Sequence, residues 1–188
     1  MFKRFALMLA VIMTGLILVS CSSYTPGKVK DGVYRNSYFT ITTPDNFTCY
    51  SGKNVDQVSS YYTEYANSLD RGANKTFNCE YSAVDAATEI LVVSEDNVGQ
   101  WSMDEFTKII TKQSNSILFS ASAVENKDVT IDGITFRHLK INLEGSGIYR
   151  EYFIRQMGTK NVYIYIEYIE NGFYDNHADA LNAISSSV

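Results

Sequence analysis

The sequence is poor in the residues on which most metal and catalytic sites depend. It has only two histidines, His138 and His177, and three cysteines among 188 residues. Neither histidine occurs in an HExxH motif or beside a cysteine pair, which excludes the usual zinc-site spacing. Neither is adjacent in sequence to a cysteine that it could activate as a base. We therefore interpret both as partly buried packing residues, and we expect no metal and no other cofactor.

Motifs that bind phosphate or activate a serine are missing as well. There is no P-loop, no GxGxxG, no GxSxG and no triad sequence. The stretch Gly145-Ser146-Gly147 lies between predicted strands and indicates a turn. There is no internal repeat and no low-complexity segment, and the formal net charge of −5 is unfavourable for binding nucleic acid. These absences give no support for an enzyme and predict no nucleic-acid partner.

The first twenty residues have the pattern of a secretory signal peptide. Lys3 and Arg4 give a basic start, and Phe5 to Val19 follows without a charge. The alternative is a transmembrane anchor. An apolar run of this length forms a helix only about 22 Å long, shorter than the roughly 30 Å hydrocarbon core of a bilayer. We therefore predict that residues 1–20 are a cleaved signal peptide.

The end of this segment resembles the lipobox of bacterial lipoproteins. It reads Leu18-Val19-Ser20-Cys21, with a small residue just before the cysteine. The resemblance implies that Cys21 carries a diacylglyceryl group and becomes the mature N-terminus, so that lipid anchors an extracytoplasmic protein in the cell membrane. Residues 21–31 are short and polar and are interpreted as the lipidated N-terminus and a tether. Residues 32–188 are predicted to form a single globular domain.

The rest of the chain alternates between strand and helix patterns. β-branched and aromatic residues favour strands, which we predict at residues 33–43, 47–50, 76–83, 89–94 and 127–169. Apolar residues at helical spacing predict helices at residues 54–70, from Ser102 onward and at 173–188. Ser102 and Glu105 are spaced as a capping box at the start of the second of these helices. Helices placed between hairpins, without regular βαβ alternation, predict an α+β fold in which an antiparallel-rich β-sheet packs against helices.

The element order and two short stretches resemble the PsbP-like α/β proteins. One stretch is Tyr38-Phe39-Thr40-Ile41 followed by Pro44 and Phe47, although the family usually has Trp where this chain has Phe47. The other is Asp132-Gly133 with its flanking strands. The resemblance implies an α/β/α sandwich and a binding or assembly role without enzymatic activity. It carries no functional residue over to this chain.

Two features of the last strands predict local geometry. Asp132-Gly133 is a strong signal for a two-residue hairpin. After it, the apolar positions change from even numbers at Ile134 and Phe136 to odd numbers from Leu139 onward. A strand moves its buried face only through an irregularity, so we predict a β-bulge near Arg137-His138.

Cys49 and Cys79 remain once Cys21 carries lipid. Two cysteines outside the cytoplasm can form a disulfide, and both lie in predicted strands. We therefore predict a Cys49–Cys79 bridge, with two buried thiols as the alternative.

The 14 tyrosines are the unusual part of the composition. Tyr163 and Tyr165 point away from the apolar residues of the last predicted strand, and Tyr61 lies off the apolar stripe of the first predicted helix. An exposed face containing these three would suit a sugar ring or a protein partner. The alternative is that helices on both faces of the sheet cover such tyrosines.

Taken together, these features predict a membrane-anchored lipoprotein that acts as a non-catalytic binding or assembly accessory, with a protein or glycan partner in the cell envelope. Two alternatives stay open. One is an envelope enzyme in which two carboxylates, about 5 to 10 Å apart in a cleft, act on glycan. The other is a small solute-binding lipoprotein, although such proteins are ordinarily longer and two-lobed.

Overall fold

The computed structural model describes residues 24–50, 77–116, 118–170 and 176–187, and these contain eleven strands and two helices. The strands are β1 (Lys28–Lys30), β2 (Val33–Arg35), β3 (Phe39–Thr42), β4 (Thr48–Tyr50), β5 (Phe77–Val84), β6 (Thr88–Asp96), β7 (Ala121–Ile131), β8 (Ile134–Leu143), β9 (Ile148–Met157), β10 (Lys160–Ile169) and β11 (Ile184–Ser186). The helices are α1 (Met103–Gln113) and α2 (His177–Asn182). The predicted signal peptide and the predicted helix at 54–70 lie outside the described residues.

Seven strands form one antiparallel sheet, which we call the large sheet, in the order β4-β5-β6-β10-β9-β8-β7. Strands β7 to β10 follow one another as a meander. The turn between β7 and β8 is Asp132-Gly133, with φ of 48° and 81°, and Ile131 pairs with Ile134 directly beside it. Positive φ at both turn positions suits the right-handed twist of the flanking strands. The predicted hairpin is confirmed.

Both faces of the large sheet are buried, and each face carries its own core. Strand β8 contributes Ile134 and Phe136 to one of them, the first core. Its odd-numbered apolar residues from Leu139 onward belong to the second core, on the opposite face. The alternation of β8 is therefore unbroken, and what changes along the strand is which face is covered.

The β-bulge predicted near Arg137-His138 is wrong. Residues 137–143 pair regularly with β9. A register shift does occur in this hairpin, but it lies in the partner strand β7, between Ala123 and Glu125. A change in apolar parity indicates an irregularity only when a single face is buried, and here both faces are buried.

A second antiparallel sheet, in the order β1-β2-β3-β11, covers the first core. Its inward side chains Tyr34, Phe39 and Ile41 are at most 1% exposed, and the Phe39 ring meets Phe136 edge-on at 5.9 Å. The predicted α+β fold, an α/β/α sandwich, is therefore wrong. In the described part of the chain the fold is β-rich, because a second sheet and the short helix α2 pack where a helical layer was expected.

The two ends of the described chain both contribute strands to this second sheet. Within the helix predicted at 173–188, the described residues 176–187 contain only the short helix α2, and Ile184–Ser186 pairs with β3 instead. At the other end β1 pairs with β2, and Tyr24 is buried. The tether predicted at residues 21–31 is thus wrong from Tyr24 onward. Short apolar stretches fit a strand or a helical turn equally well, so periodicity alone did not separate them.

Helix α1 packs on the second core. Its capping box is confirmed: the Ser102 hydroxyl oxygen accepts from the N–H of Glu105, and the Glu105 carboxylate accepts from the N–H of Ser102. Phe106 and Ile110 are buried below it, and Trp101 is partly buried at its start. Neither helix in the described ranges is long and apolar enough to cross a membrane.

Candidate functional site

The outer face of the β1–β2 hairpin carries a cluster of positive charge. Lys28 lies directly opposite Arg35, and Lys30 lies opposite Val33, so alternation places all four on the same side of the hairpin. The three basic side chains are exposed. With Pro26 they line an open groove of about 660 Å³, which we call the hairpin groove.

One carboxylate joins this hairpin to the large sheet. Oε2 of Glu80 on β5 accepts hydrogen bonds from the Tyr34 hydroxyl at 2.6 Å, the Tyr24 hydroxyl at 2.8 Å and the N–H of Gly27 at 2.7 Å. Burial, followed by the nearby Glu80 charge, raises the pKa of both tyrosines, so both remain donors. A Cβ on Gly27 would lie 2.4 Å from the Tyr34 ring, so only glycine fits there. The chain is therefore held firmly from Tyr24 onward, three residues after Cys21.

A second cluster, buried in the first core, centres on Glu151 of β9. Its Oε2 lies 2.8 Å from His138 Nε2. Its Oε1 accepts a hydrogen bond from the Tyr168 hydroxyl at 2.9 Å and lies 3.1 Å from His177 Nε2. Lys140 Nζ is 3.4 Å from the same oxygen. Both histidines of the chain therefore converge on one carboxylate.

The electrostatics of this cluster indicate a structural role. Glu151 is 2% exposed. Burial by itself raises the pKa of its carboxyl, but the hydrogen bonds from His138 and His177 outweigh burial and hold that pKa well below its usual range. Because donors occupy both oxygens, the carboxylate has little capacity to accept a proton from a substrate. It links α2, through His177, to the large sheet.

A third cluster lies on the face of the large sheet that carries the second core, where β6 begins and β10 ends. Glu89 is directly opposite Glu167, and Glu167 is directly opposite Arg150. Oε2 of Glu167 accepts from Arg150 Nε at 2.7 Å and from the Tyr165 hydroxyl at 2.6 Å. The two glutamates line a pocket of about 370 Å³. We call Glu89 and Glu167 the carboxyl pair.

The two members of the carboxyl pair have different environments. Burial, and then the charge of Glu167, raises the pKa of Glu89 to about 7, while Arg150 acts in the opposite direction. Residues directly opposite on neighbouring strands have Cβ atoms about 4.5 to 5.5 Å apart. A carboxyl that is half protonated near neutral pH, next to a second carboxylate held by an arginine, is the pattern of an acid–base pair.

The predicted disulfide is contradicted, because Cys49 and Cys79 are not bridged. Cys49 packs against the first core and Cys79 against the second, so the two side chains lie on opposite faces of the large sheet. Cys49 pairs with Ala83, which is four residues, or about 13 Å, along β5 from Cys79. A disulfide needs Cα atoms within about 7 Å. The alternative of two buried thiols is correct in that no bridge forms, but both side chains are partly buried rather than buried.

The predicted tyrosine surface does not form from Tyr163 and Tyr165. Their exposed fractions are 0% and 4%, and both lie in the second core. Tyr163 packs near Phe106 of α1, with ring centroids 6.4 Å apart, which matches the alternative in which a helix covers the tyrosines. Tyr61 and Cys21 lie outside the described residues.

Sequence reasoning missed the hydrogen bonds to Glu80, the Glu151 cluster and the carboxyl pair. The sequence did contain a signal for Glu151. Alternation along β9 places it on the same side of the strand as Tyr149 and Phe153, and a charged residue on a buried side needs hydrogen-bonding partners. The interpretation of His138 as a packing residue agrees with its 8% exposure and its stacking on Phe153 at 4.6 Å. Its carboxylate partner was not foreseen.

No family model matches the sequence, and no curated protein matches it significantly. A function must therefore follow from the residues themselves rather than from the fold.

Proposed function

We propose that this protein is a lipoprotein held on the extracytoplasmic side of the cell membrane by a lipid on Cys21, and that it acts there as a non-catalytic binding or assembly accessory. The single observation that carries the proposal is the way the N-terminal segment is built into the fold. Tyr24 and Gly27 are hydrogen-bonded to Glu80 only a few residues after the predicted lipid-bearing cysteine.

This arrangement suits a protein that works at the membrane surface. Three extended residues span at most about 11 Å, so a lipid on Cys21 would keep the domain next to the bilayer. A domain held in this way can present its remaining surface to a protein or glycan partner in the cell envelope. The buried Glu151 cluster contributes rigidity and offers no open functional group.

The anchor is tested by Cys21→Ala. We expect the variant to lose incorporation of an alkyne-tagged palmitate and either to leave the membrane fraction or to keep its signal peptide. The reason is that the thioether to Cys21 is the predicted attachment point. Cys49→Ala is the matched control, because it removes a thiol from within the domain and should leave labelling unchanged. A labelled, processed and membrane-bound Cys21→Ala protein would refute the anchor.

A second candidate function rests on the carboxyl pair. In an enzyme acting on envelope glycan, protonated Glu89 would donate a proton to the glycosidic oxygen. Glu167, positioned by Arg150 and Tyr165, would act as the base or nucleophile. The observation that favours this candidate is that both carboxyl groups line one pocket while the pKa of Glu89 is raised to about 7.

This candidate predicts release of reducing ends from purified cell-wall glycan, and it predicts that Glu89→Gln abolishes the release. The rate should fall as pH rises through about 7, because the acid form of Glu89 is then lost. Glu170→Gln, at an exposed position on the same edge, is the matched control and should keep the wild-type rate. If the wild-type protein releases no reducing ends, the enzyme candidate fails. If the wild-type protein releases reducing ends and the Glu89→Gln variant releases none, the non-catalytic proposal fails.

A further inference from the structure

We infer that the β1–β2 hairpin faces the membrane and that its basic face, formed by Lys28, Lys30 and Arg35, docks on the anionic headgroups of the bilayer. The inference rests on the proposed lipid anchor and adds to it an orientation and a lipid preference. It assigns the hairpin groove to the membrane surface, so that the opposite side of the domain is the side open to a partner.

The first argument is geometric. The predicted lipid on Cys21 lies three residues before Tyr24, and Tyr24 is fixed by its hydrogen bond to Glu80. Strand β1 begins four residues later, and its partner β2 contributes Tyr34 to the same carboxylate. A bilayer that receives a lipid on Cys21 therefore lies within about 11 Å of Tyr24, the reach of three extended residues, and is close to the hairpin.

The second argument is the contrast in charge. The chain carries a formal net charge of −5, yet the hairpin face carries three basic side chains, and Asp31 in the turn is the one acidic residue among those that line the groove. Elsewhere in the described ranges, Arg137, Arg150 and Lys160 each bind a carboxylate at 2.7 Å or less. No such carboxylate lies against the three hairpin cations in the part of the chain that the structure describes.

The third argument is the short distance over which charges act in salt solution. Charges separated by more than about 8 Å are largely screened at physiological ionic strength. The carboxylates on distant faces therefore repel the bilayer only weakly, while cations at the surface act at full strength. Each basic residue near an anionic surface contributes about a fivefold preference, equivalent to about 1 kcal/mol. Three such residues, offset by the one opposing charge of the exposed Asp31 in the turn, leave two net positive charges and are expected to favour the docked orientation by about 25-fold.

The test measures which lysines the membrane shields. Residues 22–188, which retain every described residue, are given an N-terminal hexahistidine and captured on nickel-chelating lipid in phosphatidylcholine vesicles, with or without phosphatidylglycerol. An amine-reactive reagent and peptide mapping then give the labelling rate of each lysine. Lys28 and Lys30 are expected to react about tenfold or more slowly on phosphatidylglycerol vesicles. The exposed Lys108 and Lys112 on α1 are expected to change less than about twofold, because α1 packs on the opposite face of the large sheet.

Two charge-matched variants sharpen the result. Lys30→Glu/Arg35→Glu should abolish the shielding of Lys28, whereas Lys108→Glu/Lys112→Glu makes the same change in net charge and should preserve it. Equal labelling of Lys28 and Lys30 on both kinds of vesicle overturns the inference. The inference is also overturned if soluble polyphosphate, added to the protein on phosphatidylcholine vesicles, slows the labelling of these lysines as much as phosphatidylglycerol does. The basic face would then recognise polyanions in general. The histidine tag replaces the lipid, so the lysine-labelling result does not depend on whether Cys21 is lipidated. A failure of the proposed lipid anchor would appear only in the palmitate assay.

Discussion

Replacing Glu151 by glutamine is expected to lower the free energy of unfolding by about 3 to 5 kcal/mol, the usual loss when one partner of a buried charged network is removed. The substitution conserves volume but exchanges an acceptor oxygen for an NH2 group. That group would meet donors from His138, Tyr168 or His177, since all of them now give hydrogen bonds to the carboxylate or lie within ion-pair distance of it. Two donors cannot satisfy each other, and the positive charge of Lys140 would lose its partner.

The Glu151 prediction has a defined pH dependence. The pKa of this carboxyl lies below its ordinary value of 4.5 in the folded protein. Its contribution to stability is therefore fully present above about pH 4.5 and is lost as pH falls toward the folded-state pKa. The difference in stability between the wild type and Glu151→Gln should accordingly shrink as the pH is lowered below 4.5.

Urea denaturation of both proteins across this pH range measures the effect. Glu125→Gln is the matched control, because Glu125 Oε2 also approaches His138, at 3.5 Å, but its side chain is 38% exposed. Loss of an ion pair at such a position costs at most about 1 kcal/mol. A Glu151→Gln protein as stable as this control at neutral pH would show that the buried cluster does not hold α2 to the large sheet.

Tyr163→Ala is expected to lower the free energy of unfolding by about 3 to 5 kcal/mol, as other large-to-small aromatic substitutions in cores do. The Tyr163 side chain is fully buried, with ring centroids 5.9 Å from Tyr152 and 6.4 Å from Phe106. Removing it leaves a cavity between α1 and the large sheet.

The same urea experiment reads out this substitution. Leu118→Ala, at a side chain that is 80% exposed, is the control and should change stability by less than about 0.5 kcal/mol. A Tyr163→Ala protein with the wild-type unfolding midpoint would mean that Tyr163 is accessible after all, and would restore the aromatic binding surface as a hypothesis.

The elements that sequence analysis predicted correctly are those encoded by neighbouring residues. The Asp132-Gly133 turn requires only that two adjacent residues tolerate positive φ. The Ser102 and Glu105 capping box requires only hydrogen bonds across the first turn of α1. The strand patterns of the meander depend on alternation within each strand. Each of these signals acts over a few residues, so the sequence by itself was sufficient.

The wrong predictions all depended on what covers a strand. The apolar parity of β8 was read as a bulge because one buried face was assumed, whereas the structure buries both. Ile184 and its neighbours fit a helical stripe but pair with β3, which is distant in sequence. Cys49 and Cys79 lie in strands, as predicted, and these strands are neighbours, yet the two side chains point to opposite faces.

By itself, therefore, the sequence of this protein determined the Asp132-Gly133 turn, the cap of α1, the strands of the meander and the lipobox prediction, because short-range stereochemistry and hydrogen bonding decide these. Only the tertiary structure decided that a second sheet replaces a helical layer, that both histidines meet at Glu151, that Glu89 lies opposite Glu167, and that Lys28, Lys30 and Arg35 share one exposed face. Each of these depends on strand register and on packing between segments far apart in sequence, where burial and opposing charges act across space rather than along the chain.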